Sequence, residues 1–455
     1  MWPCWRSPTA RCARCRRDDV GSGGAVFGVS DGGRLLTRPV VGWCLYDWAN
    51  SAFPTVVSTF VFATYFTQGV APDTTTGTFL WGNATAIAAV VIAVASPVLG
   101  AIADRTGRRK PWLAVFTLLC VLATAALWTV EPDPSFVVRA LSLVIIATIG
   151  FEFATVFYNA MLAEVAPPAA LGRISGLGWG LGYFGGLACL VVALFVLVQA
   201  DPPPFGLDPA MAEPVRATVL LVALWFAVFS LLTFLLVPEP PMRARAPLRR
   251  AVGDGLRQLG RTVRGLRWRD TMTRFLVARM LYADGLTTLF AFGGIYAAGT
   301  FGMAFDEIIV FGIALNLTAG AGAVAFGWID DWVGPKRAIT GALIGLALFG
   351  TLALLAPDKT WFWVAGMAMG TFMGPVQAAS RTLMAHLAPA EQRAEMFGIF
   401  ALSGKVTNFA GPLVLGWATL AFDSQRAGMA TIIVFLVAGL ILLQTVRPPL
   451  PTTRP

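Results

Sequence analysis

Charge is what this chain has least of. Lys, Arg, Asp and Glu make up 13% of its 455 residues, about half the share of a soluble globular domain. Hydrophobic residues make up 56%, and the mean hydropathy is +0.70. Such a chain cannot cover itself with a solvated surface. Histidine is almost absent: His386 stands alone and no HExxH pair occurs, so nothing suggests a metal-dependent hydrolase or any other enzyme. Cysteine is sparse too, at six residues, three of them in the first fifteen and three (Cys44, Cys120, Cys189) in apolar runs. That spacing excludes a disulfide framework. Cys12-x2-Cys15 has the form of half a zinc site, but no second ligand pair follows it, so neither metal nor cofactor is expected. "FGIFALSGKV" superficially suggests a phosphate loop. It has one residue too many between Gly398 and Gly404-Lys405, and Val406 stands where Ser or Thr would hold the metal. ATP-driven transport is excluded on that ground.

The apolar residues are gathered in blocks of about twenty, the length at which a helix spans hydrocarbon. The expectation is an all-α membrane protein with twelve transmembrane helices in two six-helix halves. Spans are placed near 41–68, 79–103, 111–130, 138–163, 175–199, 215–237, 275–300, 305–329, 337–356, 360–384, 394–421 and 427–446. The corresponding regions are an Arg-rich tail over 1–38, bundles over 39–240 and 274–446, a basic linker over 241–273 and a short tail over 447–455. Residues 1–38 have no apolar core, so they are no secretory signal; a disordered tail is favoured over a transit peptide.

Basic residues orient the bundle. Arg105, Arg108, Arg109, Lys110, Arg173, Lys336, Arg337 and Arg393 all follow even-numbered spans, whereas the opposite loops are mostly acidic. Both termini are therefore expected in the cytoplasm, in a multi-pass protein of a cell (inner) membrane, or of the vacuolar membrane in a fungus. The central loop, over about 242–274, adds ten arginines against Asp254 and Asp270. Val252, Leu256, Leu259, Val263 and Leu266 form one stripe along it, suited to an anionic inner leaflet. Nucleic acid is not an expected partner, and a monomer is expected.

One motif occurs twice. Gly100, Asp104, Arg105, Gly107, Arg108, Arg109 and Lys110 follow the second span; Gly327, Asp331, Gly334, Lys336 and Arg337 follow the eighth at the same spacing. A duplicated six-helix unit explains the register. At the membrane surface the acid can meet a neighbouring helix N-terminus and a basic partner, while Gly permits a tight turn. The pair reads as a cytoplasmic gate that latches the halves together. The pattern resembles the major facilitator superfamily's signature. "LYDWANSAF", "FYNAMLAEVAP", "GRISGLGWGLGYFGG", "LYADG" and "SRTLMAHLAP...FGIFALSGKVTNFAGPL" are similar to the UMF1 branch, related to Atg22-like vacuolar amino-acid effluxers. The likeness covers about residues 40 to 446. It implies a secondary transporter, with amino-acid efflux the attested role of fungal relatives, and a cavity lined by helices 1, 4, 7 and 10.

Polar groups inside the apolar runs are the candidate site. In span 1, Asp47, Ser51, Pro54 and Ser58 share a face with Asn50 beside them and Tyr46 adjacent. In span 4, Thr148, Glu152, Thr155 and Asn159 repeat that spacing. A carboxylate at mid-membrane costs roughly 2.5–3.5 kcal/mol on insertion scales, so such groups face a wet cavity or a partner. Tyr282 and Asp284 in span 7 echo Tyr46 and Asp47. Arg279 is poorly placed to pair with Asp284 within one helix; Arg381, sharing a face with Gln377, is its expected partner across helices. Lys405, with Asn408 and Pro412 on its face, needs an acid or a substrate carboxylate. Each residue is weighed as proton or substrate site against plain interhelical bonding. Gly178, Gly182 and Gly186 form a small-residue packing face. The resulting expectation is amino-acid-like efflux by alternating access, with proton coupling as an option. The alternatives are a lipid-handling or scaffolding protein and an exporter of hydrophobic cations, the last requiring acids without Arg381 or Lys405 in the cavity.

Overall fold

In lipid every backbone polar group must be satisfied within the chain, so helices are the solution open to twenty-residue apolar runs. The computed structural model describes residues 35–239, 248–265, 267–268 and 270–447. Most of the Arg-rich tail, the start of the linker, Leu266 and the last eight residues lie outside them.

The first crossing is α1 (Arg38–Asn50), π-helical turns over Phe53–Phe60, α2 (Phe62–Tyr65) and a further π-turn over Phe66–Val70. Pro54 has no N–H to donate, which dislodges the i→i−4 ladder at that point. The remaining helices of the first half are α3 (Thr74–Thr106), α4 (Lys110–Ala126), α5 (Val137–Val165), α6 (Leu171–Val192) and α7 (Glu213–Leu236). The linker helix α8 (Leu248–Gly265) follows. The second half comprises α9 (Thr271–Phe301), α10 (Phe305–Val333), α11 (Pro335–Leu354), α12 (Lys359–Leu387), α13 (Arg393–Ser403), α14 (Ala410–Phe422) and α15 (Gln425–Gln444). No strand occurs among the described residues.

Local chemistry sets the ends. Asp73 caps α3 by accepting from Thr76 N at 2.9 Å, and Asp358 caps α12 through Trp361 N at 2.9 Å. Gly107 (φ 70°) and Gly334 (φ 88°) close α3 and α10 in the left-handed region, where a Cβ would be strained.

Among the described residues nine helices are long and apolar enough to cross a membrane. The three other expected crossings are the first, tenth and eleventh, which keeps the element order consistent with twelve. Each falls short for its own reason. The first is interrupted by π-turns. The tenth, α12, carries Gln377, Ser380, Arg381, Thr382 and His386. The eleventh, expected as one span over 394–421, is two helices separated by an irregular turn over 404–409. Lys405 sits in that turn.

The linker helix does not simply lie flat. Ala251 and Gly255 are buried, with Gly255 against the Ala101 backbone of α3, and Gln258 Oε1 accepts from Arg105 Nη2 at 3.1 Å. Leu259 packs inward, whereas Val252, Leu256 and Val263 remain exposed.

Candidate functional site

Both copies of the repeated motif close on a helix N-terminus in the opposite half. Asp104, at the end of α3, accepts from Ala394 N (3.1 Å) and Glu395 N (2.8 Å) in the first turn of α13, and from Arg109 Nη2 at 3.0 Å. Arg109 also pairs with Glu164 of α5. Asp331, at the end of α10, accepts from Gly172 N (2.7 Å) and Arg173 N (3.2 Å) at the start of α6, and from Arg173 Nε at 2.5 Å. A carboxylate there satisfies orphan amides and meets the positive end of the helix dipole. The crossings are tight: a Cβ on Gly100 would stand 2.5 Å from Ala394 C, and one on Gly327 3.0 Å from Arg173 Cα. Lys336 Nζ ties its loop to Gln444 O at 2.9 Å. Arg108 and Arg337 form no ion pair among the described residues.

On the far side of these latches lies a cavity of about 1740 Å³. Thr78, near the start of α3, lines it, while Asp104 at the end of the same helix belongs to a latch. The whole polar stripe of the first crossing (Asp47, Asn50, Ser51, Pro54, Ser58) faces this space, as do Asn159, Gln377 and Arg381. Its outer walls are largely apolar and aromatic.

At the base, Arg381 Nη1 stands 3.0 Å from Asp47 Oδ2, with 2% and 13% of the side chains exposed. Arg381 also donates to Asn159 Oδ1 (3.3 Å), Ser175 Oγ (3.0 Å) and Ser175 O (2.7 Å). Its guanidinium lies 4.7 Å from the Trp43 ring, 5.7 Å from Tyr158 and 5.6 Å from Trp179. The charge is thus paired, hydrogen-bonded and ringed by aromatic faces, each of which offsets desolvation. Asp47 belongs to the first half and Arg381 to the second, so the pair spans the interface.

A second cross-half pair lies away from the cavity. Lys405 Nζ, in the turn between α13 and α14, stands 2.6 Å from Glu152 Oε1 of α5. The acid that Lys405 requires is therefore a residue of the protein. On α9, Arg279 Nη1 donates to Phe400 O (2.7 Å) and Ser403 Oγ (2.9 Å) at the end of α13. Asp284 Oδ2 accepts from Gly411 N at 3.1 Å, at the start of α14. A cation holds the carbonyl end of one half-helix and an acid the amide end of the next, as their dipoles demand.

The expected Asp284–Arg381 pair does not form. Arg381 is turned to Asp47, because α12 presents that face to α1, α5 and α6 rather than to α9. Tyr46 and Tyr282 do not line the cavity either. Tyr46 Oη bonds Thr117 Oγ1 at 2.6 Å within the first half, and Tyr282 Oη bonds Ser380 Oγ at 2.7 Å within the second. Gln377 Nε2 donates to Tyr183 Oη at 3.1 Å, across the halves. Asn408 lies in the turn with its Oδ1 buried and unpartnered. Sequence reasoning passed over Trp43, Tyr158, Trp179 and Ser175. Trp43 stands one helical turn before Asp47 and Tyr158 beside Asn159, a spacing that hinted at ring faces near the acid.

The family model for vacuole effluxers of the Atg22-like kind matches residues 74–170 and 169–448. The MFS-type transporter YxiO of Bacillus subtilis is 26% identical over 415 residues, 90% of this chain and 95% of its own length. Autophagy-related protein 22-1 of Penicillium rubens is 24% identical over 295 residues, 60% of this chain and 48% of that protein. The chain thus spans about half the length of the fungal relatives it matches. Among solved structures, the human organic anion transporter MFSD10 gives a TM-score of 0.68 at 16% identity, covering 90% of this chain and 99% of that one. The transporter FucP in its outward conformation gives 0.66 at 13% identity, covering 90% and 98%. Apolar helical crossings packed around a central cavity are the fold of these major facilitator transporters, and the chain belongs to the Atg22-like vacuole effluxer family: it is a membrane transporter, not an enzyme.

Proposed function

We propose that this protein carries a small amino-acid-like zwitterion across its membrane, by proton-linked alternating access of its two halves. The observation that carries the reading is the Asp47–Arg381 pair, 3.0 Å apart at the base of the cavity. Each partner belongs to a different half, so a solute that offers both a carboxylate and an ammonium can replace the internal pair with two substrate pairs. Exchanging one set of ion pairs for another avoids leaving a bare buried charge, which costs about 3–5 kcal/mol. Asn50, Asn159 and Gln377 add neutral hydrogen-bonding groups beside it.

Arg381 in the cavity disfavours an exporter of hydrophobic cations. The convergence of the Asp47 stripe with Thr155 and Asn159 of α5 on one cavity disfavours a lipid-handling or scaffolding role. The basic loops beside the latches support a cytoplasmic gate with both termini on that side. With the latches closed, the cavity then faces the outside or a lumen. The exposed Val252, Leu256 and Val263 of α8, among arginines, suit contact with an anionic leaflet.

Uptake of labelled amino acids into proteoliposomes, with and without a pH gradient, tests the reading. Wild type is expected to accumulate solute, and Arg381→Lys, which keeps charge but loses the planar fork, to lose most of it. Uptake equal in wild type, Asp47→Asn and Arg381→Lys refutes the role of the pair. No uptake of any amino acid by wild type refutes the substrate class.

A further inference from the structure

We propose that Asp284 is the proton-binding site that couples the gradient to movement of the broken eleventh crossing. This rests on the transport reading above and adds to it a site that lies outside the cavity.

Asp284 is 1% exposed. Its Oδ2 accepts from Gly411 N at 3.1 Å, while Oδ1 is buried with no partner among the described residues. Among the described residues no cation is free to face it. On its own helix, Arg279 is bound to Phe400 and Ser403. From α12, Arg381 is committed to Asp47, and Tyr282 of α9 is closed against Ser380. From α15, Ile432, Phe435 and Leu436 pack around the neighbouring Gly285, and Arg426 donates to Ala356 O at the far end. In α13, Arg393 and Glu395 stand at the latch end. In α10, the acids stand at the two ends, Asp306 and Glu307 at the start, the latter with Lys359, and Asp330 and Asp331 at the close, the latter with Arg173. The turn's own cation, Lys405, is held by Glu152, and α14 carries no charged residue.

A bare carboxylate sealed in apolar surroundings without a counter-ion is among the costliest arrangements in a membrane. One proton on Oδ1 removes the charge and gives the orphan oxygen a hydrogen to donate. A Cβ on Gly411 would stand 2.9 Å from Asp284 Oδ1 and in contact with Thr288 Oγ1, so both oxygens face one point of α14. The Thr288 hydroxyl, which donates to Asp284 O at 2.8 Å, stands at the same point of α14. Two oxygens and one amide are too few for a metal ion and sufficient for a proton. No group of three or more metal-ligating side chains occurs among the described residues.

The site grips the first turn of α14, and the turn just before it carries Lys405, whose partner Glu152 belongs to the other half. The neutral acid can release Gly411 N–H without stranding a charge; the carboxylate cannot. Proton uptake at Asp284 therefore frees the half-helix and loosens the Lys405–Glu152 contact, and rocking of the halves follows.

Infrared spectra of the purified protein in nanodiscs at pH 7, compared in H2O and D2O, read protonated carboxyl groups through their C=O stretch. Wild type is expected to show a component that Asp284→Asn removes and Asp47→Asn keeps. Coincident spectra of wild type and Asp284→Asn overturn the proposal. Should Asp284→Asn fail to assemble, Thr288→Val carries the test: the component is expected to shift, and an unmoved one overturns the assignment. A rise in melting temperature with sodium chloride over choline chloride, lost in Asp284→Asn, also overturns it, in favour of a metal cation. In proteoliposomes, a gradient of about one pH unit supports about tenfold accumulation at one proton per solute. Asp284→Asn is expected to lose accumulation and keep solute exchange. Failure of wild type to move amino acids refutes the substrate class proposed above and leaves the spectra to judge the proton site.

Discussion

A methyl group at residue 100 tests the latch more sharply than removal of a charge. Gly100 lies on α3 where that helix crosses α13, and an added Cβ would stand 2.5 Å from Ala394 C and 2.8 Å from Glu395 N. These are backbone atoms of the turn that Asp104 caps, so no side chain can swing aside. Overpacking of this kind costs about 1–3 kcal/mol. Alanine also favours the helix over glycine by about 0.8–1.0 kcal/mol, but that gain is equal in latched and unlatched states and drops out of the equilibrium between them. The full clash therefore falls on the latched state, an expected shift of about 5- to 150-fold. Pulsed EPR between spin labels at Arg108→Cys and Glu391→Cys, in a background lacking other cysteines, reads the distance across the latch. Gly100→Ala is expected to move the distribution to longer distances. Two controls separate local from global effects. Gly82→Ala, on the same helix with nothing within 4 Å, should leave it unmoved. Gly322→Ala meets the Thr371 backbone within one half, so it should lower the melting temperature without favouring either state. An unchanged distribution in Gly100→Ala refutes the latch.

Three further outcomes are expected. Lys405→Met strands the partly exposed Glu152; a loss of about 1–3 kcal/mol is expected by thermal melting, less than for a fully buried pair, with Glu152→Gln in addition restoring most of it. Tyr46→Phe removes the partner of Thr117 inside the first half and should cost about 1–3 kcal/mol while leaving the KM for transport unchanged; a raised KM would return Tyr46 to the substrate path. Asp73 is held below the ordinary carboxylate range by the Thr76 hydroxyl and amide donors. Its cap on α3 is therefore complete above about pH 4 and is lost as pH falls through the lower folded value, so the acid limb of a melting profile should flatten in Asp73→Ala.

Much was legible from the sequence alone, because the bilayer is a harsh and uniform solvent. Twenty-residue apolar runs, the bias of arginines to one set of loops and the doubled Gly–Asp–Gly–basic motif follow from rules that act locally. They yielded the all-helical membrane fold and the meeting of Asp104 with a helix N-terminus and a basic partner. The polar stripe from Asp47 to Ser58 was equally readable, since α-helical spacing alone gathers those residues on one face.

Partnership between distant charges was not readable. Asp47 and Arg381 are 334 positions apart, and helical periodicity gives a face, not the neighbour to which that face turns. Arg381 therefore looked placed for Asp284, and Tyr46 as near a cavity as its neighbour. Only packing decided that α12 faces α1, that both tyrosines close inward on hydroxyls, and that the eleventh crossing breaks where Lys405 reaches Glu152. The physical reason is that desolvation is settled by whatever surrounds a group in three dimensions. The sequence alone determined which buried charges would need partners; the tertiary structure decided which ones they received, and left Asp284 without one.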